Sequence, residues 1–245
     1  MRETWVRVAS SGGEPAQWYS PTLWHTMNAS AWWRLLRAHS FQVRLGRVPL
    51  AIAVTLAVAN NSLLGALQSL VFGARLRRAS MQQDLVFVLG HWRSGTTHLH
   101  DLLALDNRFA FPSTYECAAP HHCLITARIY PKLFAWLLPS KRLMDDMAVG
   151  FDKPQEDELA LVALGAPSPL WSLAYPDESS GQAFLTLREV SDRERERWVR
   201  WFSAFLRLLA YRYPGKPLLL KSPPHTARLA LLARMFPKAR FLHIA

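Results

Sequence analysis

Leu85-Val86-Phe87-Val88-Leu89 runs directly into Gly90-His91-Trp92-Arg93-Ser94-Gly95-Thr96-Thr97, and this junction constrains the fold more than any other part of the chain. Five apolar residues in a row, with no polar alternation, read as a strand buried on both faces of a parallel sheet. Two glycines five positions apart then bound a short loop, and residues 96–105 have helical composition. Strand, glycine-bounded loop and helix form the unit in which bare backbone N–H groups and a helix N-terminus surround an anion. An NTPase loop of this kind needs a lysine just after the second glycine, but Thr96 stands there, and the only cation inside the loop is Arg93. Arginine at that position can fork onto a sulfonate or bridging oxygen, while Ser94, Gly95, Thr96 and Thr97 supply hydroxyl and backbone donors without organising magnesium.

The rest of the chain supports an α/β reading. Ser191 to Tyr211 repeats Trp198, Trp201, Phe202, Phe205, Leu208 and Leu209 at helical spacing, and Tyr213-Pro214-Gly215 stops it. Leu218-Leu219-Leu220 opens a second buried strand, followed by a proline-punctuated loop and a helix through Met235. Arg240 to Ala245 has strand composition, which makes the last unit a βαβ crossover. Residues 120–138 and 155–164 are predicted helical, ending near Pro131, Pro139, Pro154 and Pro167. The sequence contains no internal repeat and no low-complexity tract.

Before the first strand lies a different kind of sequence. Residues 1–80 read as a helical extension and 81–245 as the phosphate-loop domain. The N-terminus has an early acid and no apolar run before residue 48, so it is not a secretory signal peptide. Val48 to Ala74 carries no charge and is framed by Arg47 and by Arg75, Arg77 and Arg78, as a membrane span would be. Asn60, Asn61 and Ser62 at its middle favour two amphipathic helices, packed on the domain or lying on a bilayer surface, over a span.

With a net charge of +11, mostly from arginine, the surface should attract anions. The Arg193–Arg197 run has no alternating aromatic residues and reads as a solvated face, so nucleic acid is not an expected partner. Cys117 and Cys123 are too few for a disulfide framework, and His121-His122 lack metal-ligand spacing, so reduced thiols, a cytoplasmic setting and no metal are expected.

The loop resembles the 5'-phosphosulfate loop of sulfotransferases, above all the bacterial and Golgi-type branch with Arg-Ser-Gly-Thr-Thr. Leu220-Lys221-Ser222-Pro223-Pro224-His225-Thr226-Ala227-Arg228 resembles the second motif of that family. The resemblance implies 3'-phosphoadenosine 5'-phosphosulfate (PAPS) as co-substrate, without metal, and a small-molecule or glycolipid acceptor bearing a hydroxyl or amine. Arg93 and Lys221 would stabilise the transferring group and the leaving phosphate, and Ser94, Gly95, Thr96 and Thr97 would hold the 5'-phosphate. Glu116, a little over twenty residues beyond the loop arginine, is the first choice as general base, with His225 the competitor; here Pro223 occupies the place of the cytosolic branch's histidine. Asp152-Lys153-Pro154-Gln155-Glu156-Asp157-Glu158 resembles an acceptor-side segment of the branch but reads more simply as the capped first turn of a helix. Family members continue past the strand matching Phe241–Ala245 with an arginine and a serine that bind the 3'-phosphate, so a C-terminal truncation that impairs activity is expected. Two other readings are a P-loop kinase or NTPase, which should show a loop lysine and a magnesium carboxylate, and a non-catalytic membrane-associated remnant, which would bind no nucleotide.

Overall fold

The structure, a computed structural model, describes residues 23–79, 83–137, 149–174 and 180–245. Residues 1–22 lie outside the described residues, as does Pro139. Three parallel strands form the sheet: β1 Leu85–Gly90 at the centre, β2 Leu218–Lys221 on one side and β3 Arg240–Ile244 on the other. β1 is buried along its whole length and β2 likewise, as expected of strands without polar alternation. β3 is mostly exposed, consistent with its place at the sheet edge.

Two helices precede the sheet, α1 Ala29–Ala38 and α2 Val48–Arg78. α3 Thr96–Ala104 follows the phosphate loop, α4 Thr114–Ala118 a short extended stretch, and α5 Cys123–Thr126 and α6 Tyr130–Leu133 are single turns. α7 Asp157–Leu164, α8 Ser180–Thr186 and α9 Asp192–Arg212 lead to β2, while α10 Pro224–Ala227 and α11 Leu229–Met235 connect β2 to β3. α9 matches its predicted span within a residue, because Ser191 and Glu194 close a reciprocal capping box and its apolar face buries Trp198, Phe202, Phe205 and Leu209. The helix expected over 120–138 is instead broken into short turns, since Pro120 precedes it and Pro131 starts a new turn.

The uncharged stretch is one helix rather than two. α2 is 31 residues long, and Leu45–Arg78 is long and apolar enough to cross a membrane by length and composition alone. Its mid-helix amides do not interrupt it because they bond outward to the domain. Asn61 Nδ2 donates to the carbonyls of His25 (2.8 Å) and Met27 (3.0 Å), and Gln68 bonds Pro120 O and Leu124 N. Val54 and Val58 pack with Met27, Ala31, Leu35 and Val162, so α1, α2 and α7 share one apolar cluster.

His122 fastens α2 to the domain, with Nδ1 facing Thr126 Oγ1 at 2.8 Å and Nε2 facing Asn61 Oδ1 at 3.3 Å. Burial pushes its pKa down to about 4, and His121 beside it, through burial and the neighbouring imidazole, also to about 4. As pH falls from 6.5 towards 4 the unfolded chain takes up protons that the folded chain refuses, so stability is full above 6.5 and declines through that window. Urea midpoints at pH 7 and pH 5 should show this loss, and His122→Gln should show a smaller one.

Candidate active site

The phosphate loop is shaped by crowding at one end and by left-handed backbone at the other. A Cβ on Gly90 would lie 2.7 Å from each of Ile244 O, Ser94 Oγ and Thr96 Cγ2, so only glycine fits where β1 ends. Gly95 (φ 91°) caps α3, and Arg93 (φ 71°) is a non-glycine residue in left-handed conformation, which costs on the order of 1 kcal/mol and is characteristic of binding loops. Ser94 Oγ donates to His91 O at 2.8 Å and closes the turn. The N-terminal amides of α3 thus face the loop, and the exposed Arg93 sits beside them.

The second motif arrives from β2 at the same end of the sheet. Lys221 is 1% exposed, and its Nζ lies 3.2 Å from Thr97 Oγ1, so a buried ammonium reaches the first turn of α3. Thr226 Oγ1 accepts from Gly90 N (2.9 Å) and donates to Gly90 O (3.0 Å), joining the two loops.

Three consecutive acids meet three basic side chains of this motif. Glu156 Oε1 pairs with Lys221 Nζ at 2.7 Å, Asp157 Oδ2 with His225 Nε2 at 2.6 Å, and Glu158 with Arg228 in a fork of 2.6 and 3.2 Å. The Asp157 and Glu158 pairs are fully buried, whereas the Glu156 side chain stays 26% exposed. Residues 152–158 are therefore more than a capped helix start. Sequence spacing offered no sign of this, because the partners lie about 65 to 70 positions away. Arg228 also donates to the carbonyls of Phe184 and Leu185 and stacks 4.9 Å over Trp198, which makes it a structural post. His225 is enclosed by Phe87, Phe202 and Trp198, with no polar partner for its Nδ1.

Glu116 stands elsewhere in the network. It closes a capping box with Ser113, Oε2 accepting from Ser113 N at 2.7 Å, while Oε1 accepts from Tyr213 Oη (2.9 Å) and Arg212 Nε (2.7 Å). Its side chain is fully buried. Burial and this carboxylate push the Tyr213 phenol up to about 12. Three donors thus occupy the Glu116 carboxylate, which ties the start of α4 to the end of α9. His225 is likewise fully buried, with its Nε2 paired to Asp157.

A glycine-bounded anion loop, a buried lysine delivered to it and a parallel sheet that gathers both at its C-terminal ends define a phosphate-loop domain that departs from the NTPase pattern, in which the lysine lies inside the loop. The chain belongs to the sulfotransferase family, whose profile matches residues 85–245. It is 39% identical over 240 residues to the omega-hydroxy-beta-dihydromenaquinone-9 sulfotransferase Stf3 of Mycobacterium bovis and of Mycobacterium tuberculosis, covering 98% of this chain and 61% of theirs. The chain thus spans about three-fifths of the length of these relatives. Among solved structures it is similar to sulfotransferase STF1 from Mycobacterium tuberculosis (TM-score 0.56, 16% identity, 88% of this chain and 59% of that one). It is similar also to STF9 from Mycobacterium avium (TM-score 0.54, 18% identity, 90% and 62%). At these identities the two structures speak for the fold, an α/β parallel sheet flanked by helices.

Proposed function

We propose that this chain carries the donor half of a sulfotransferase that moves a sulfuryl group from PAPS to a hydroxyl, or an amine, of a small or lipid-like acceptor. The observation that carries the reading is the Lys221 ammonium at the first turn of α3, beside a loop whose only internal cation is Arg93. The amides of residues 94–97 and the hydroxyls of Ser94, Thr96 and Thr97 suit the 5'-phosphate, and the two cations suit the sulfonate and the bridging oxygen. An acceptor of the dihydromenaquinone kind, as the Stf3 name states for that protein, fits the same class. The boundary near residue 80 separates the helical extension from this half, and buried, free Cys117 and Cys123 suit a reducing cytoplasm.

In the transfer, the acceptor oxygen attacks sulfur as the bond from sulfur to the 5'-phosphate oxygen breaks, and 3'-phosphoadenosine 5'-phosphate leaves with one more negative charge. Arg93 and Lys221 meet that growing charge. The proton released by the acceptor goes to Glu156, the part-exposed carboxylate at the loop. When donor binds, Lys221 turns to the sulfonate and the Glu156 carboxylate is freed; Asp157 and His225 hold the segment in place.

A thermal-shift titration separates this from the kinase reading. 3'-Phosphoadenosine 5'-phosphate should raise the melting temperature more than ATP with magnesium does, because a ligand that binds only the native state stabilises it by mass action. An equal or larger shift with ATP and magnesium would favour a kinase, and no shift with either would favour a non-catalytic chain.

A further inference from the structure

Beyond the buried Val54 and Val58, α2 turns much of its apolar surface outward, where an ordinary surface helix would show a polar face. Its polar residues Asn61, Ser62 and Gln68 bond into the domain. Its outer side presents Ile52, Leu56, Leu63, Leu67, Leu70 and Val71, each between 47% and 83% exposed. These recur at helical spacing along one face of a rod roughly 46 Å long, an apolar ridge far beyond scattered surface leucines.

The ends of the ridge decide what covers it. Arg44 and Arg47 are exposed at one end and Arg75, Arg77 and Arg78 at the other, and no Asp or Glu occurs from Arg44 to Arg78. A second copy laid along α2, parallel or antiparallel, would bring arginines against arginines at both ends. A crossing of the bilayer would tear Asn61 and Gln68 from their partners and leave those amides in hydrocarbon. An anionic lipid surface satisfies both features at once, taking the leucines into the acyl boundary and the guanidinium groups onto lipid phosphates.

We propose that α2 lies in the plane of an anionic bilayer, with the Ile52–Val71 ridge immersed and its arginine-bearing ends at the headgroups. The docking stands apart from the sulfuryl-transfer reading, needs no nucleotide, and would bring the site to a membrane-dissolved acceptor. Co-sedimentation of the chain with vesicles of phosphatidylglycerol and phosphatidylcholine, against phosphatidylcholine alone, tests it. Binding should require the anionic lipid and be released by salt without detergent. Combined Leu56→Glu, Leu63→Glu and Leu70→Glu should weaken partitioning at least about tenfold, and combined Arg75→Gln, Arg77→Gln and Arg78→Gln roughly a hundredfold, at unchanged melting temperature because all six side chains are exposed. Absence of binding, binding indifferent to the leucine substitutions, a need for detergent at high salt, or a dimer in sedimentation that those substitutions dissociate would each overturn the proposal.

Discussion

Lys221→Ala is expected to slow sulfuryl transfer by about 10²–10³-fold, compared with the unsubstituted polypeptide of the same length, while changing affinity for the bisphosphate product only a few-fold. The argument is one of timing. Charge on the bridging oxygen appears in the transition state, so a cation aimed there contributes little to ground-state binding and much to rate. Lys221 is buried against Thr97 at the loop, where screening by water is weak and the contribution correspondingly large. Arg93→Ala should act in the same sense, and the comparison is clean in the backbone because alanine and arginine meet the same penalty at φ 71°. A pure anchor would behave oppositely, losing product affinity while saturated turnover survived. The same assay addresses the base. Glu156→Gln should abolish the alkaline-rising limb of the pH–rate profile, whereas Glu116→Gln and His225→Asn should keep the limb even where they lower stability. A limb that vanishes with Glu116→Gln and persists with Glu156→Gln would return the role to Glu116.

Glu158→Ala is expected to destabilise the fold by about 3–5 kcal/mol, because it strands the Arg228 guanidinium in a site with no water to solvate it. On a chain of this length that corresponds to a fall of roughly 10 °C in melting temperature. Both members of the pair are wholly buried, and the guanidinium is further fixed by two carbonyls and by the face of Trp198. Replacing both together, Glu158→Leu with Arg228→Met, removes the charges in step and should recover most of the loss. Differential scanning calorimetry of Glu158→Leu, Arg228→Met and the double measures the coupling. An additive double would mean that each residue is held by its own packing, not by the pair.

Much of this architecture could be read along the chain, where the determinants are local. β1 and β2 were legible because continuous apolar runs have no other easy fate, and α9 because its period and its Ser191-to-Glu194 box lie within one sequence window. The loop was legible because the glycine positions, the missing lysine and Arg93 are themselves sequence. What escaped was set across long separations. α2 looked like two helices because Asn60, Asn61 and Ser62 suggested a break, and only the fold supplies Met27 and His25 carbonyls to receive Asn61. The contacts of Glu116 escaped because Arg212 and Tyr213 lie nearly a hundred residues downstream. Glu156, Asp157 and Glu158 looked like a helix cap for the same reason, and three neighbouring carboxylates with three separate basic partners have no short-range signature.

One hydroxyl ties the two halves of the site together. Thr226 takes both polar groups of Gly90, so the last residue of β1 has no conformational independence from the loop after β2. The anion loop and the lysine-bearing loop are therefore one hydrogen-bonded unit, so a displacement of either at this point is passed on to the other.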